Sequence, residues 1–97
     1  AGRALEAESD LARAVALDPR SARFAYVYAV AMHSGGKVRK AIELLEKTAA
    51  AHPGDRSLRE ALISFHAGAG DTASAARHQA ALEGLEAAEE GLEVADP

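Results

Sequence analysis

The sequence contains no cysteine and no tryptophan, and proline occurs only three times in 97 residues. Without cysteine, the chain has no disulfide bond, no thiolate metal ligand and no cysteine nucleophile. The lack of cysteine is compatible with either the bacterial cytoplasm or the periplasm. The sequence given shows no signal-peptide pattern. The localisation is therefore left unassigned.

Residues that favour β-strands are also scarce. Valine, isoleucine and threonine together number nine, aromatic residues make up 4% and asparagine is absent, whereas alanine fills 25 positions. Hydrophobic residues at 48% and charged residues at 27% are typical of a folded domain, and not of a disordered tail or a membrane span. The composition therefore predicts one all-α domain without membrane insertion.

Basic residues are few in the second half of the chain. Residues 1–54 carry eight basic and six acidic side chains, whereas residues 55–97 carry three and nine, and the net charge is -4. Affinity for a phosphate backbone depends on clustered lysine and arginine. We therefore expect no nucleic-acid partner.

Four residue types recur at an interval of 34 positions. Glycine permits the positive φ that a tight turn after a helix requires, and proline cannot continue a helix. These marks divide the chain into five antiparallel helices, near 3–17, 21–34, 37–51, 55–68 and 72–83, the last extending as a capping helix to about residue 90. The recurring positions are Gly2, Gly36 and Gly70; Ala7, Ala41 and Ala75; Pro19 and Pro53; Leu11 and Leu45.

Residues 22–55 carry the pattern AxxxxxYAxxMxxxGxxxxAIxLLEKxxxxxPxD. This pattern resembles the tetratricopeptide repeat (TPR) family, although Ala25 and Met32 stand where the family usually has aromatic residues. The resemblance implies a TPR-type right-handed α-solenoid of antiparallel helical hairpins. The core that we predict consists of Tyr28, Ala29, Met32, Ala41, Leu45, Leu62, Phe65 and Ala75.

The same frame divides the single TPR domain, residues 1–97, into four parts. Residues 1–21 are the second helix of a truncated repeat, and residues 22–55 are a full repeat. Residues 56–90 are a degenerate repeat with its capping helix, and residues 91–97 are an acidic tail. The segments FAYVYAVAMHSGG and AIELLEKTAAAHPGD are also similar to TPR tails of larger bacterial proteins, such as those of the multihaem cytochrome c family. No CxxCH motif is present, so any haem would bind elsewhere in such a parent protein.

TPR arrays line a concave wall with the first helix of each repeat, and that wall binds a peptide or a partner segment. Tyrosine and arginine, which dominate binding hot spots, share this wall in the full repeat. The alternative is that Tyr26 and Val30 only pack against a neighbouring helix. The partner groove implied by the resemblance consists of Arg23, Tyr26, Val30, His33, Ser57, Glu60 and Ser64.

A second function is a structural spacer or self-association module within a larger parent protein. The first predicted helix has no preceding helix to cover Leu5, Leu11 and Val15, so this edge is expected either to be cut from a longer array or to pair with another molecule. The cluster of Lys37, Arg39 and Lys40 is expected to be solvated, and the alternative is a docking patch for an acidic partner.

Catalysis has no support in the sequence. No nucleophile elbow, phosphate-binding loop or acid pair appears, and the chain is expected to be no enzyme and to need no cofactor. The four histidines lack the i, i+4 spacing of a helical zinc pair, so we expect them to be scattered and to bind no metal: His33, His52, His66 and His78.

Overall fold

The computed structural model describes the backbone of residues 2–95 and the side chains of residues 6–89. Over these residues the chain forms five α-helices and no strand, which confirms the predicted all-α fold. The helices are α1 (Gly2–Leu17), α2 (Ala22–Ser34), α3 (Val38–Ala51), α4 (Arg56–Gly68) and α5 (Thr72–Ala95). Helix α5 continues past residue 90 into the predicted tail, whose last two residues lie outside the described part of the chain.

The chain divides into two compact units, Ala1–Pro53 and Gly54–Pro97. In the first unit, α2 packs against both α1 and α3. In the second unit, α4 packs against α5. Each unit therefore contains one of the predicted helical hairpins, α2–α3 or α4–α5.

The two hairpin turns are closed by glycines in the left-handed region. Gly36 has φ 87° and Gly70 has φ 82°. After Gly36, the backbone N–H of Lys37 donates to the carbonyl of Met32 at 2.8 Å, and Asp71 donates to His66 at 2.9 Å after Gly70. These are Schellman caps, which satisfy the last carbonyls of a helix and need a residue of positive φ. The third glycine of the series, Gly2, is the first residue of α1 and closes no turn in the described residues.

Side chains cap the helices that follow each loop. The hydroxyl of Ser21 accepts a hydrogen bond from the N–H of Phe24 at 3.1 Å, and a carboxylate oxygen of Asp55 accepts one from Leu58 at 3.2 Å. Both satisfy N–H groups that the first turn of a helix leaves unpaired. Asp71 caps α5 with two bonds from Ser74, one from the backbone N–H and one from the hydroxyl at 2.6 Å.

Alanine and leucine make up most of the buried core of each unit. In the first unit Ala29, Ala41 and Leu45 are fully buried, and in the second unit Leu62 is fully buried and Ala75 nearly so. Tyr28 and Phe65, which we predict as core, are only half-buried. Alanine side chains permit helix backbones to approach closely. The full set of buried hydrophobic residues is Ala25, Ala29, Met32, Ala41, Leu45, Ala49, Leu58, Ala61, Leu62, Ala75 and Leu82.

An ion pair ties α1 to the turn between α2 and α3. The ammonium group of Lys37 donates to a carboxylate oxygen of Glu8 at 2.7 Å, and 46% of the Lys37 side chain remains exposed to solvent. This hydrogen bond, with the charge of Glu8, raises the pKa of Lys37 above its usual 10.5. The other carboxylate oxygen of Glu8 would lie 2.7 Å from a Cβ at Gly35, so a larger residue there would have to displace the end of the Glu8 side chain.

The predicted open edge of α1 is partly covered. Leu11 and Val15 are half-buried, and Leu5 lies outside the described side chains. Among the side chains of residues 6–89, the most exposed large hydrophobic residue is instead Leu17, at the end of α1, with 80% of its surface accessible.

Replacing Ala41 by leucine is expected to lower the free energy of unfolding by about 1–3 kcal/mol, because the larger side chain has no room in a fully buried helix contact. Urea denaturation measures the change. Ala50→Leu, an exposed position on the same helix, serves as the control and should change stability by less than about 0.5 kcal/mol. Equal stabilities for the two variants would contradict the assignment of Ala41 to the contact.

Because a carboxylate, Asp71, caps α5, we expect the stability of the fold to depend on pH in the acid range. The hydroxyl and backbone bonds from Ser74 hold the pKa of Asp71 below its usual 3.8. Because the folded pKa is lower than the unfolded one, the capping carboxylate stabilises the fold above pH 3.8, and this contribution is lost as the pH falls through the lower folded value. Asp71→Asn should therefore lower the melting temperature at neutral pH, and the difference from the native chain should shrink in acid. A difference that is constant with pH would refute the linkage, and Ser74→Ala should move the pKa of Asp71, followed by NMR, back toward 3.8.

Candidate partner-binding surface

Helix α2 presents hydrophobic side chains on both of its sides. Its inner side carries the buried residues Ala25, Ala29 and Met32, which face the helices packed against it. On the opposite side Phe24, Val27 and Val30 are 39%, 41% and 38% exposed. A helix with one solvated side normally has polar residues there. The outer side of α2 therefore exposes three large apolar side chains beside the charged Arg23.

The first-unit residues of the predicted groove all lie on α2. Arg23 and Val30 are exposed, whereas Tyr26 and His33 are half-buried. Spacings of three, four and three positions put them on one side of the helix, and Val30 is shared with the exposed outer side. The structure thus places these four residues along one partly accessible stripe, here called the α2 stripe.

The second-unit residues of the predicted groove all lie on α4. Ser57, Glu60 and Ser64 are exposed, and their spacings of three and four positions again define one side of the helix. This α4 stripe carries two hydroxyls and a carboxylate, and it has no large hydrophobic residue. Its chemistry is therefore polar, in contrast to that of the α2 stripe.

Sequence reasoning missed Phe24 and Val27 as accessible residues. Both belong to the hydrophobic run FAYVYAV, in which only every third or fourth residue fits the buried side of a helix. This run has more hydrophobic residues than one side of a helix can bury. The surplus indicates that some of them, such as Phe24 and Val27, are accessible.

The second unit contains a pair of stacked histidines. The rings of His66 and His78 lie with their centroids 5.6 Å apart and their planes 11° from parallel, and both residues are buried. The expectation that the histidines are scattered is wrong for these two. His66 follows Leu62 by four positions and His78 follows Ala75 by three, so both lie on the inner sides of their helices.

Charged neighbours flank this pair on either side. The guanidinium group of Arg59 donates to Nδ1 of His78 at 2.9 Å, since arginine has only donors. A carboxylate oxygen of Asp71 lies 3.7 Å from Nδ1 of His66. The nitrogen lone pairs of His66 and His78 lie in the planes of two nearly parallel rings, so they do not converge on one point. The guanidinium cation of Arg59 already lies against Nδ1 of His78. This arrangement is that of a packed and hydrogen-bonded core contact.

A family model described as Tetratricopeptide repeat matches residues 1–64. The chain belongs to the tetratricopeptide repeat family. The match covers helices α1 to α3 and most of α4, and with them the α2 and α4 stripes. A search of curated proteins gives no match.

Members of the TPR family share a general role. TPR repeats are non-enzymatic modules that generally mediate protein–protein interaction and typically bind proteins or peptides. In the described part of this TPR chain, no helix is both long and apolar enough to cross a membrane.

Replacing His78 by alanine is expected to lower the free energy of unfolding by about 2–4 kcal/mol, because the change opens a cavity and removes the acceptor of Arg59. Thermal and urea denaturation give the size of the effect. The neighbouring exposed residue provides the control, since Gln79→Ala should change stability by less than about 0.5 kcal/mol. A His78→Ala variant as stable as the control would show that the pair does not hold α4 and α5 together.

Proposed function

We propose that this TPR chain binds a peptide or an extended segment of a partner protein, and that the α2 stripe of the first unit and the α4 stripe of the second unit each offer contacts to such a ligand. The residues of the site are Arg23, Tyr26, Val30 and His33 on α2, and Ser57, Glu60 and Ser64 on α4.

The accessible apolar character of α2 carries the proposal. An aromatic ring, a guanidinium group and a branched aliphatic side chain occur together on the α2 stripe, and Val30 remains 38% exposed beside Arg23. These are the residue types from which hot spots are built, since tyrosine offers a rigid surface and arginine offers several donors. A partner that covers Val30 would remove apolar surface from water while Arg23 bonds to its backbone carbonyls or carboxylates.

The α4 stripe offers hydrogen bonds to a ligand rather than apolar contacts. Hydroxyl groups of Ser57 and Ser64 can both donate and accept hydrogen bonds, and the carboxylate of Glu60 accepts them. An extended peptide has a free N–H and C=O at each residue, because it makes no internal hydrogen bonds. Polar side chains on α4 therefore suit the backbone of an extended ligand, and Glu60 favours a ligand that carries a positive charge there.

A structural spacer or self-association module within a larger parent protein is the second candidate. The supporting observation is the apolar surface of the first unit outside the α2 stripe, where Leu17 is 80% exposed and Phe24 and Val27 are 39% and 41% exposed. Exposed apolar residues that lie together commonly mark an interface. In this case the contact would depend on Phe24 and Val27 and would leave Tyr26 accessible.

A matched pair of valine variants tests the two candidates. Peptides selected from a random library against the native chain are titrated against Val30→Ala and Val27→Ala, two changes of the same residue type, on the same helix and at similar exposure. Binding through the α2 stripe predicts that Val30→Ala weakens affinity severalfold and that Tyr26→Ala weakens it about tenfold or more. Val27→Ala should leave the affinity unchanged.

Two outcomes would contradict peptide binding on the α2 stripe. One is an equal loss of affinity in both valine variants, which would place the ligand on the outermost surface of α2. The other is a dimer in sedimentation equilibrium that becomes monomeric on Phe24→Glu or Val27→Glu, together with no selected peptide. That result would favour the self-association module.

A further inference from the structure

The first unit contains a pocket that does not include any residue of the α2 stripe. It has a volume of about 330 Å³, at the lower end of the range of small-molecule sites. It lies where the end of α1, the turn after it, the start of α2 and the last two turns of α3 come together. Its lining residues are Val15, Pro19, Arg20, Ala25, Leu44, Lys47, Thr48, Ala51 and His52.

Hydrogen bonds hold two polar members of the wall in place. The hydroxyl of Thr48 donates to the carbonyl of Leu44 at 2.7 Å, one turn earlier on α3. Nε2 of His52 donates to the carbonyl of Arg20 at 3.0 Å, since a carbonyl can only accept, and this bond joins the end of α3 to the turn before α2. Both hydrogen bonds are made within the chain itself, so the fold orients these two side chains of the wall.

The charge on the pocket has one sign. Arg20 and Lys47 line it, together with the imidazole of His52, and none of the lining residues is acidic. Arg20 and Lys47 are exposed, so their charged groups remain hydrated and can turn toward a ligand. The other walls are aliphatic, with Val15, Ala25 and Leu44 among them. An apolar cavity with a cationic rim is complementary to a molecule that has an apolar chain and an anionic end.

We propose that this pocket binds a small amphiphilic carboxylate. Its aliphatic part lies against Val15, Ala25 and Leu44, and its carboxylate pairs with Arg20 and Lys47. The same two cations repel an alkylamine of equal length. The shared chemistry, an aliphatic group that carries a carboxylate, occurs in a free short-chain fatty acid and in the C-terminal residue of a peptide.

Titration of the full chain with octanoate, below its micelle concentration, tests the proposal by NMR. Shifts are expected at Val15, Leu44 and Ala51, and each methylene removed from the ligand should weaken binding about fourfold, so hexanoate should bind about fifteenfold more weakly. Octanol and octylamine should bind much more weakly than octanoate. Equal binding of octanol, or shifts confined to other residues, would overturn the proposal.

Matched variants separate the pocket from general attraction by charge. Lys47→Gln and Arg20→Gln should each weaken octanoate binding severalfold, whereas Lys40→Gln removes the same charge from α3 about 10 Å away and should leave it unchanged. Ala51→Phe should block the pocket, and Ala50→Phe, which changes an exposed neighbour outside it, should not. If the two lysine variants bind equally, the site is wrong.

A second arm identifies the source of the carboxylate. The tripeptide Gly-Gly-Leu is compared as the free acid and as the C-terminal amide. Binding of the free acid alone, with loss in Lys47→Gln, assigns the site to the C-terminus of a peptide, and binding of octanoate alone assigns it to a fatty acid. If neither ligand binds, no carboxylate site exists here.

Discussion

Close contact between helices at alanine is the constraint on which each hairpin depends. Ala29 and Ala41 are fully buried on facing helices of the first unit, and Ala75 occupies the corresponding repeat position in the second. A contact between such small residues buries little area per residue, so the larger side chains at its margins must supply much of the burial. Leu45 in the first unit and Leu62 in the second do this, and both are fully buried. Tyr28, the larger side chain predicted for this core, is only half-buried.

The helices and their caps follow from the sequence because they depend on local chemistry. The φ required at Gly36 and Gly70, and the capping oxygens of Ser21 and Asp55, act within a few residues of their own positions. The interval of 34 residues then relates one hairpin to the next. Local rules and repeat spacing together therefore predict the order of the five helices and the bounds of the first four to within about a residue, whereas α5 continues past its predicted end.

Contacts between distant side chains are less accessible to such reasoning. The pair of Lys37 with Glu8 joins residues 29 positions apart, and it depends on a rotamer of each side chain. The stack of His66 on His78 requires knowledge of which turn of α4 lies beside which turn of α5. The α2 stripe was predictable from the family frame, whereas the apolar surface of Phe24 and Val27 depends on which sides of α2 its neighbours cover.

The polar residues of the second unit show how a core with few aromatic residues can still specify one arrangement. His78 is fully buried, and its Nδ1 accepts from Arg59, so any shift of α5 along α4 would break this bond as well as the stack with His66. A leucine at the same position would bury comparable surface, but it would tolerate such a shift, because apolar contacts have no direction. A hydrogen bond between buried groups is costly to leave unmade. We infer that the histidine pair fixes the register of the α4–α5 hairpin, and that alanine contacts alone would leave this register less well defined.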